Sequence, residues 1–399
     1  MTTPAEWHAK GLALLAKGET LEARNMFALA LNVDSGNVQY ILDYAQAYIE
    51  LGQFDKARNL LRAALVIAPN SFFAHFRMAN LYKQHGYPKK ALPFYNRAIE
   101  IDPQFARAYN NRGASYHIMG IGSNARADYL KALTLDPSMT EAYLNLGRLN
   151  DAEDDVDAAA GVYRQALEQG LDRDLFTHLL ASVSGIAADK APLGYVRAIF
   201  ADYANSFDLH YVNNLKYALP PLVGAILRDH AIEQGRNLTV IDLGCGTGLC
   251  GIELRGITEH LAGVDASAAM LDLADRRGIY HDLVEGDIES YLPIVPAVSI
   301  DALISADVLI YLGELRSLFS EAERVLRTGG LFILSIESLA EAGDFKLQRS
   351  GRFAHTTGYV ESLARSHGME VSSAGPVDLR LELGVPVPGI LYALRKISG

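Results

Sequence analysis

The sequence predicts two parts of different class, an all-α solenoid of helical hairpins followed by a doubly wound α/β domain. Three observations carry this. Alanines, glycines and aromatic residues recur at a fixed 34-residue period through the first part of the chain. Beyond residue 193, apolar runs of strand length alternate with helix-compatible segments. The first of these runs ends in Val240-Ile-Asp-Leu-Gly-Cys-Gly-Thr-Gly248, where a carboxylate and three alternating glycines meet a buried strand.

In blocks of 34 starting at residue 4, one column holds Gly11, Ala45, Ala79, Gly113 and Gly147. Others hold Ala23, Ala57, Ala91, Ala125 and Ala159, then Phe27, Leu61, Tyr95, Tyr129 and Tyr163, then Ala30, Ala64, Ala98, Ala132 and Ala166. Gly18, Gly52, Gly86 and Gly120 mark a turn inside each of the first four blocks, and Pro69, Pro103 and Pro137 close the middle three. Small residues let two helices approach, and the aromatic column fills the space beside them. A single hairpin cannot bury its apolar face, so neighbours must stack. The pattern resembles the tetratricopeptide repeat. The fifth block, with Asp154 for the turn glycine and Leu171 for the proline, reads as the last repeat. The expected organisation is five repeats over 1–173, a capping helix and linker over 174–192, and the α/β domain over 193–399. The resemblance implies a concave face of Phe73, Phe76, Asn80, Lys83, Arg107, Asn110, His117, Leu144 and Arg148, suited to a peptide or protein partner.

At 399 residues the chain can bury more than one core, and half of its residues are hydrophobic. It has no apolar run long enough for a membrane span and no signal-peptide pattern at Met1–Trp7. Its two cysteines, Cys245 and Cys250, imply no disulfide framework, and a reducing, cytoplasmic location is expected. The net charge of −11 is unevenly placed. Residues 1–173 carry 18 Lys+Arg against 19 Asp+Glu, and residues 174–399 carry 18 against 28. An α/β domain this acidic has no broad basic surface for a phosphate backbone, so no nucleic-acid partner is expected.

Residues 184–191 are mostly small and read as a linker before Pro192. Val196, Ile199, Phe200, Tyr203, Phe207 and Tyr211 keep helical spacing over 194–211, and Pro220-Pro221 start another helix. Strands are expected at 238–243, 260–264, 281–285, 300–305 and 331–336, with two more in the last quarter, the final one near Ile390 to Arg395.

A strand that turns into a helix across glycines lets a ligand approach bare backbone. Gly246-Thr-Gly-Leu-Cys-Gly251 fits G-x-G-x-x-G, with Asp265 about twenty residues beyond Gly246, so a nicotinamide oxidoreductase is one reading. Asp242 argues against it, because a pyrophosphate would be repelled there and an ammonium attracted. The stretch Asp242-Leu-Gly-Cys-Gly-Thr-Gly248 resembles motif I of class I S-adenosylmethionine-dependent methyltransferases. The resemblance implies a Rossmann-like sheet of seven strands with one antiparallel strand, and S-adenosyl-L-methionine as cofactor. It also implies a cofactor site of Asp242, Gly244, Cys245, Gly246 and Gly248, of Asp265 and Ala266 at the ribose, and of Met270, Asp287 and Ile288 at the adenine. Loops at the carboxyl ends of parallel strands hold ligands, so Ser305, Asp307, Val308 and Tyr311 lie where cofactor and acceptor meet, and Ser305 and Asp307 are expected among the cofactor-binding residues. Phe200-Ala-Asp-Tyr-Ala-Asn-Ser-Phe-Asp208 resembles a lid helix of small-molecule methyltransferases, departing at its first two places, with Tyr203 and Phe207 as shields. His355, or the phenol of Tyr311, is the candidate proton acceptor. The combination resembles a bacterial group of predicted methyltransferases carrying such repeats, through Phe207-Asp208, Asp307-Val-Leu309 and Arg352-Phe-Ala-His355. The methyl acceptor, a small molecule or a protein side chain, is not identified by the residues. The alternative function is a cofactor-binding scaffold without turnover.

Overall fold

The structure, a computed structural model, describes residues 2–201, 217–382 and 385–397. The chain divides into two compact units, Met1–Leu171 and Asp172–Gly399.

The first unit is five helical hairpins: α1 (Pro4–Ala16) with α2 (Thr20–Val33), α3 (Val38–Glu50) with α4 (Phe54–Ile67), α5 (Phe72–Gln84) with α6 (Pro88–Ile101), α7 (Ala106–Ile118) with α8 (Gly122–Leu135), and α9 (Thr140–Ala152) with α10 (Val156–Glu168). The turn glycines hold φ between 68° and 77°, and Asp154 holds 62° at the same place in the fifth hairpin. Aspartate is one of the few side chains that enter this left-handed region at small cost. The alanine columns and the aromatic column are buried throughout. A Cβ on Gly147 would stand 2.2 Å from the ring of Tyr163, and one on Gly113 would stand 2.8 Å from Tyr129. Gly147→Val should therefore destabilise the repeats by about 1–3 kcal/mol through overpacking. Gly161→Ala, in open space, should leave the melting curve followed by far-ultraviolet circular dichroism unchanged or slightly raised.

The second unit opens with α11 (Arg173–Ser184) and α12 (Leu193–Ala201). His178 is buried on α11, its Nε2 2.8 Å from the Gly351 carbonyl and its ring 4.2 Å from that of Tyr195. The sheet strands are β1 (Leu238–Leu243), β2 (Thr258–Asp265), β3 (Asp282–Glu285), β4 (Ile300–Ser305), β5 (Leu326–Glu337), β8 (Met369–Glu382) and β9 (Val385–Lys396). Their order is β3-β2-β1-β4-β5-β9-β8. The first five run parallel, and β9 lies antiparallel to both of its neighbours. A short side hairpin pairs β6 (Phe345–Leu347) with β7 (Phe353–His355).

Both faces of the sheet are covered, as a parallel sheet requires. Alternate residues of β1 enter different cores. Ile241 and Leu243 pack with Phe319 and Val325 of α17 (Arg316–Val325) and Val360 of α18 (Thr357–Ser366). Leu238 and Val240 pack with Val223 and Leu227 of α13 (Leu219–Gln234). The register sets Asp242 beside Gly263 and Ile304, so the loops after β1, β2, β3 and β4 open at one edge. Ligands of open α/β sheets sit at that edge.

Candidate functional site

A cavity opens over the turn after β1. Gly244, Gly246 and Gly248 all hold positive φ, at 70°, 53° and 87°. Each does so for a different neighbour. The amides of Gly244 and Cys245 donate to the Val264 carbonyl, which pins the turn to β2. A Cβ on Gly244 would meet Val308 at 2.4 Å, so the loop after β4 lies directly on this residue. Gly246 faces open space within the cavity and donates its amide to Asp265 Oδ2 at 2.8 Å.

Gly248 caps the N-terminus of α14 (Leu249–Glu253) and does not line the cavity. Its missing side chain makes room for Tyr280. A Cβ on Gly248, Gly251 or Gly263 would stand 2.9, 2.6 or 2.9 Å from this residue's side chain. The Tyr280 hydroxyl donates to Asp242 Oδ2 at 2.7 Å. The last two glycines of G-x-G-x-x-G thus accommodate an aromatic ring, not a diphosphate. Burial pushes the Asp242 carboxyl up to about 7, against the opposing pull of the Tyr280 hydrogen bond, and the nearby Asp265 adds to the rise.

Asp265 ends β2. Its Oδ1 accepts from the Ser267 amide at 2.8 Å, and Ser267 caps α15 (Ala268–Asp275). Asp287 caps the short α16 (Ile288–Tyr291), and its other oxygen lies 3.2 Å from Lys190 Nζ, which also reaches Glu289 at 2.7 Å. Lys190 belongs to a strap across one side of the cavity. The Asp189 carbonyl accepts from the amides of Gly313 and Glu314, and the Ala191 amide donates to the Tyr311 carbonyl. Opposite, Phe200 and Tyr217 pack with Leu249 around Met270, and the Phe200 ring lies 6.0 Å from Tyr311.

The loop after β4 carries Asp307, one of few side-chain-bearing residues in the left-handed region, at φ 60°. Its amide donates to Ser335 Oγ at 2.8 Å, and its Oδ1 accepts from Arg380 Nη1 at 2.5 Å. Arg380, on β8, also donates to Glu337 at the end of β5. All three side chains are buried, Arg380 to 1% exposure.

Of the residues expected from the sequence, Asp242, Gly244, Cys245, Gly246, Asp265, Ala266, Met270, Asp287, Ile288, Asp307 and Tyr311 line this cavity. Tyr203 and Phe207 lie outside the described residues. Three others stand elsewhere. Gly248 lies behind the turn, Ser305 is wholly buried within β4, and His355 is wholly buried on β7. His355 Nε2 lies 3.1 Å from the Gly313 carbonyl, and burial lowers its imidazole to about 4. Its place is under the cavity loop, which it holds, rather than beside a reacting atom. Phe200 opens the lid-like stretch of the sequence, whereas Lys190, Tyr217, Tyr280 and Arg380 carry no local signal and are brought to the site by tertiary register.

On the repeats, the expected concave-face residues divide by partner. Asn80 accepts from the Tyr95 hydroxyl and from Asn111, and Asn110 accepts from Asn145. Phe76 stacks on Phe72, Leu144 is half-buried, and Phe73, Arg107 and Arg148 are exposed. Burial lowers the Lys83 ammonium to about 8, and burial together with the Arg148 charge lowers His117 against the pull of Glu153. Among the described residues no group of three His, Cys, Asp or Glu could hold a metal ion, and no helix is long and apolar enough to cross a membrane.

Comparison with known proteins agrees with this geometry. Residues 241–334 match the methyltransferase domain family, and residues 14–77, 89–120 and 120–172 match tetratricopeptide repeat families. The chain carries a methyltransferase domain preceded by tetratricopeptide repeats. The methyltransferase domain is 34% identical over 109 residues to a malonyl-[acyl-carrier protein] O-methyltransferase of Yersinia pestis, covering 27% of this chain and 39% of that one. It is 29% identical over 147 residues to a probable S-adenosylmethionine-dependent methyltransferase of Saccharomyces cerevisiae, covering 35% and 49%. The chain spans less than half the length of these curated relatives. The repeats are similar to a tetratricopeptide protein structure from Thermus thermophilus at 22% identity, with TM-score 0.39, covering 46% of this chain and 99% of that one.

Proposed function

We propose that the methyltransferase domain binds S-adenosyl-L-methionine in this cavity and transfers its methyl group to an acceptor held beside Tyr311. The observation that supports this most is the charge at the turn. Asp242 and Asp265 face the cavity there, and among the described lining residues Lys190 is the one cation, already paired with Asp287 and Glu289. Such a lining suits a sulfonium and an ammonium and opposes a diphosphate. Open space at Gly246 leaves bare backbone for the methionine portion.

In this reading Asp242 faces the ammonium, Asp265 with the backbone of Ala266 takes the ribose hydroxyls, and Asp287 accepts from the adenine amino group between Met270 and Ile288. When bound, S-adenosylmethionine supplies a methyl group already activated by its sulfonium. The protein's task is then alignment and exclusion of water, which Phe200, Tyr217 and Leu193 perform at the cavity wall. Tyr311, which lines the cavity, is suited to hold or take an acceptor proton.

The named acceptors of relatives differ, from malonyl-[acyl-carrier protein] to the guanine of 18S rRNA. The acidity of this domain favours a small molecule or protein side chain over RNA. The repeats would hold a peptide or protein partner, with Lys83, Arg107 and Arg148 favouring an acidic segment. A cytoplasmic place is consistent with the two unpaired, buried cysteines.

Isothermal calorimetry with S-adenosylmethionine and S-adenosylhomocysteine tests this reading. Binding of both is expected, and absence of heat with either removes it. The pH dependence has a definite sign. The ammonium pairs with ionised Asp242, whose carboxyl is raised to about 7, so affinity should rise with pH below that value. An increase of about tenfold from pH 5.5 to 7 is expected, while the ligand's amino group, of pKa roughly 7.7–8.0, stays charged. Flat affinity across this range would remove Asp242 from the ammonium.

A further inference from the structure

We propose that Tyr280 is a positioning residue for cofactor binding: its hydroxyl holds one oxygen of Asp242 from behind the glycine turn, which leaves the other oxygen to meet the ligand's ammonium. The proposal rests on the reading of the cavity given above and adds to it the side chain that acts through Asp242.

The geometry divides the carboxylate between two tasks. Asp242 lines the cavity although only 2% exposed, whereas Tyr280 does not line it. Oδ2 accepts from the Tyr280 hydroxyl at 2.7 Å. Oδ1 accepts no hydrogen bond among the described residues and is not sealed off from the cavity. It is therefore the oxygen left for a ligand.

The backbone makes room for the ring that does this. Gly248 needs its glycine for φ 87°. Gly251 lies within a helix and Gly263 within a strand, and neither has a positive φ. A glycine weakens the interior of either element, so these two answer to space rather than to backbone shape. A Cβ at 251 would stand 2.6 Å from the Tyr280 hydroxyl, and one at 263 would stand 2.9 Å from its ring. Ile279, Cys245 and Leu283 crowd the same places.

A hydroxyl on a buried carboxylate also sets the pH at which it ionises. Burial pushes Asp242 up to about 7, the Tyr280 bond opposes that rise, and Asp265 at the end of β2 adds to it. The thiols of Cys245 in the turn and Cys250 on α14 also face Asp242, and burial pushes both well up, so they stay neutral. Burial and the Asp242 charge push the Tyr280 phenol well up, so it remains a donor. Removing this donor should raise the Asp242 carboxyl further, and the ionised form that pairs with an ammonium is then reached only at higher pH.

The test is calorimetry with S-adenosylhomocysteine on the full chain, at about pH 6, 7 and 8.5. Absence of heat with the parent overturns the cofactor reading, and this proposal with it. Tyr280→Phe keeps the ring and should fold, which far-ultraviolet circular dichroism checks. For a rise of about one pKa unit, its affinity relative to the parent should fall about tenfold at pH 6 and less than about twofold at pH 8.5. The ligand's own titration is common to both chains and cancels in this ratio. Tyr280→Leu, a second variant that also gives up the ring, should show the same trend with pH. In an Asp242→Asn background, Tyr280→Phe should change affinity by less than about twofold. With heat present in the parent, a loss that is equal at all three pH values overturns the positioning role alone, because packing would explain it. No loss at pH 6, or a loss of about tenfold that persists beside Asp242→Asn, overturns it as well.

Discussion

Asp265→Ala is expected to weaken S-adenosylmethionine binding by about 2–4 kcal/mol, which is about 30- to 800-fold in Kd. Two losses combine. The carboxylate no longer accepts from ribose hydroxyls, and the amides of Gly246 and Ser267, which it holds at 2.8 Å, are released. The first loss acts on the ligand and the second on the shape of the turn. Asp265→Asn separates them, because one oxygen remains to accept an amide while the charge is gone. It should recover part of the affinity. Calorimetry on both variants checks this, and an alanine variant that binds as the parent does would remove the ribose assignment.

Arg380→Met should destabilise the second unit by about 3–5 kcal/mol. The substitution leaves Asp307 and Glu337 buried together with their shared counter-charge gone. Burial already raises the Glu337 carboxyl, and Arg380 is foremost among the groups opposing that rise. Without Arg380 the carboxyl climbs further, so its protonation relieves part of the defect. The loss of stability should thus be larger at pH 8 than at pH 5. Urea denaturation followed by far-ultraviolet circular dichroism at both pH values reads this out. Fluorescence of Trp7, the chain's one tryptophan, lies in the first unit and serves as an internal control. An equal loss at both pH values would mean that packing, not charge, holds Arg380 in place.

Much of the fold was legible because its signals are local. The strand Ile300–Ser305 is an apolar run closed by polar or small residues, and its bounds are those expected. The repeat columns fall where the period puts them, and Asp154 stands in for glycine in the turn as its residue type allows. The acids of the cavity lining were legible for the same reason, since Asp242, Asp265 and Asp287 stand at or just past strand ends and all three line the cavity.

What escaped was set by tertiary register. Arg380 lies in Val377-Asp-Leu-Arg-Leu381, where alternating polar residues suggest a solvent face, yet β9 and the loop after β4 cover it. The small residues of 184–191 give no side-chain signal. Asp189 and Ala191 are tied to residues 311–314 through backbone hydrogen bonds, which sets Lys190 and Ala191 in the cavity wall. The three-residue strands β6 and β7 are too short for periodicity, so the sequence offers His355 as a candidate proton acceptor after a glycine-marked segment and gives no sign of its burial. The Tyr280 ring reaches the glycine turn only because β3 aligns beside β2.

That ring has a consequence for how the turn can change over time. With the ring in place, a methyl group at position 248, 251 or 263 collides with Tyr280, so each such replacement is excluded while it remains. Trading it for a smaller side chain would not free these positions: a methyl group at 251 would still meet Ile279 at 2.9 Å, one at 263 would still meet Cys245 and Leu283 at 2.8 Å, and Asp242 would lose its hydroxyl partner. The glycine spacing is therefore held by several neighbours at once, and no single replacement at Tyr280 lets it drift.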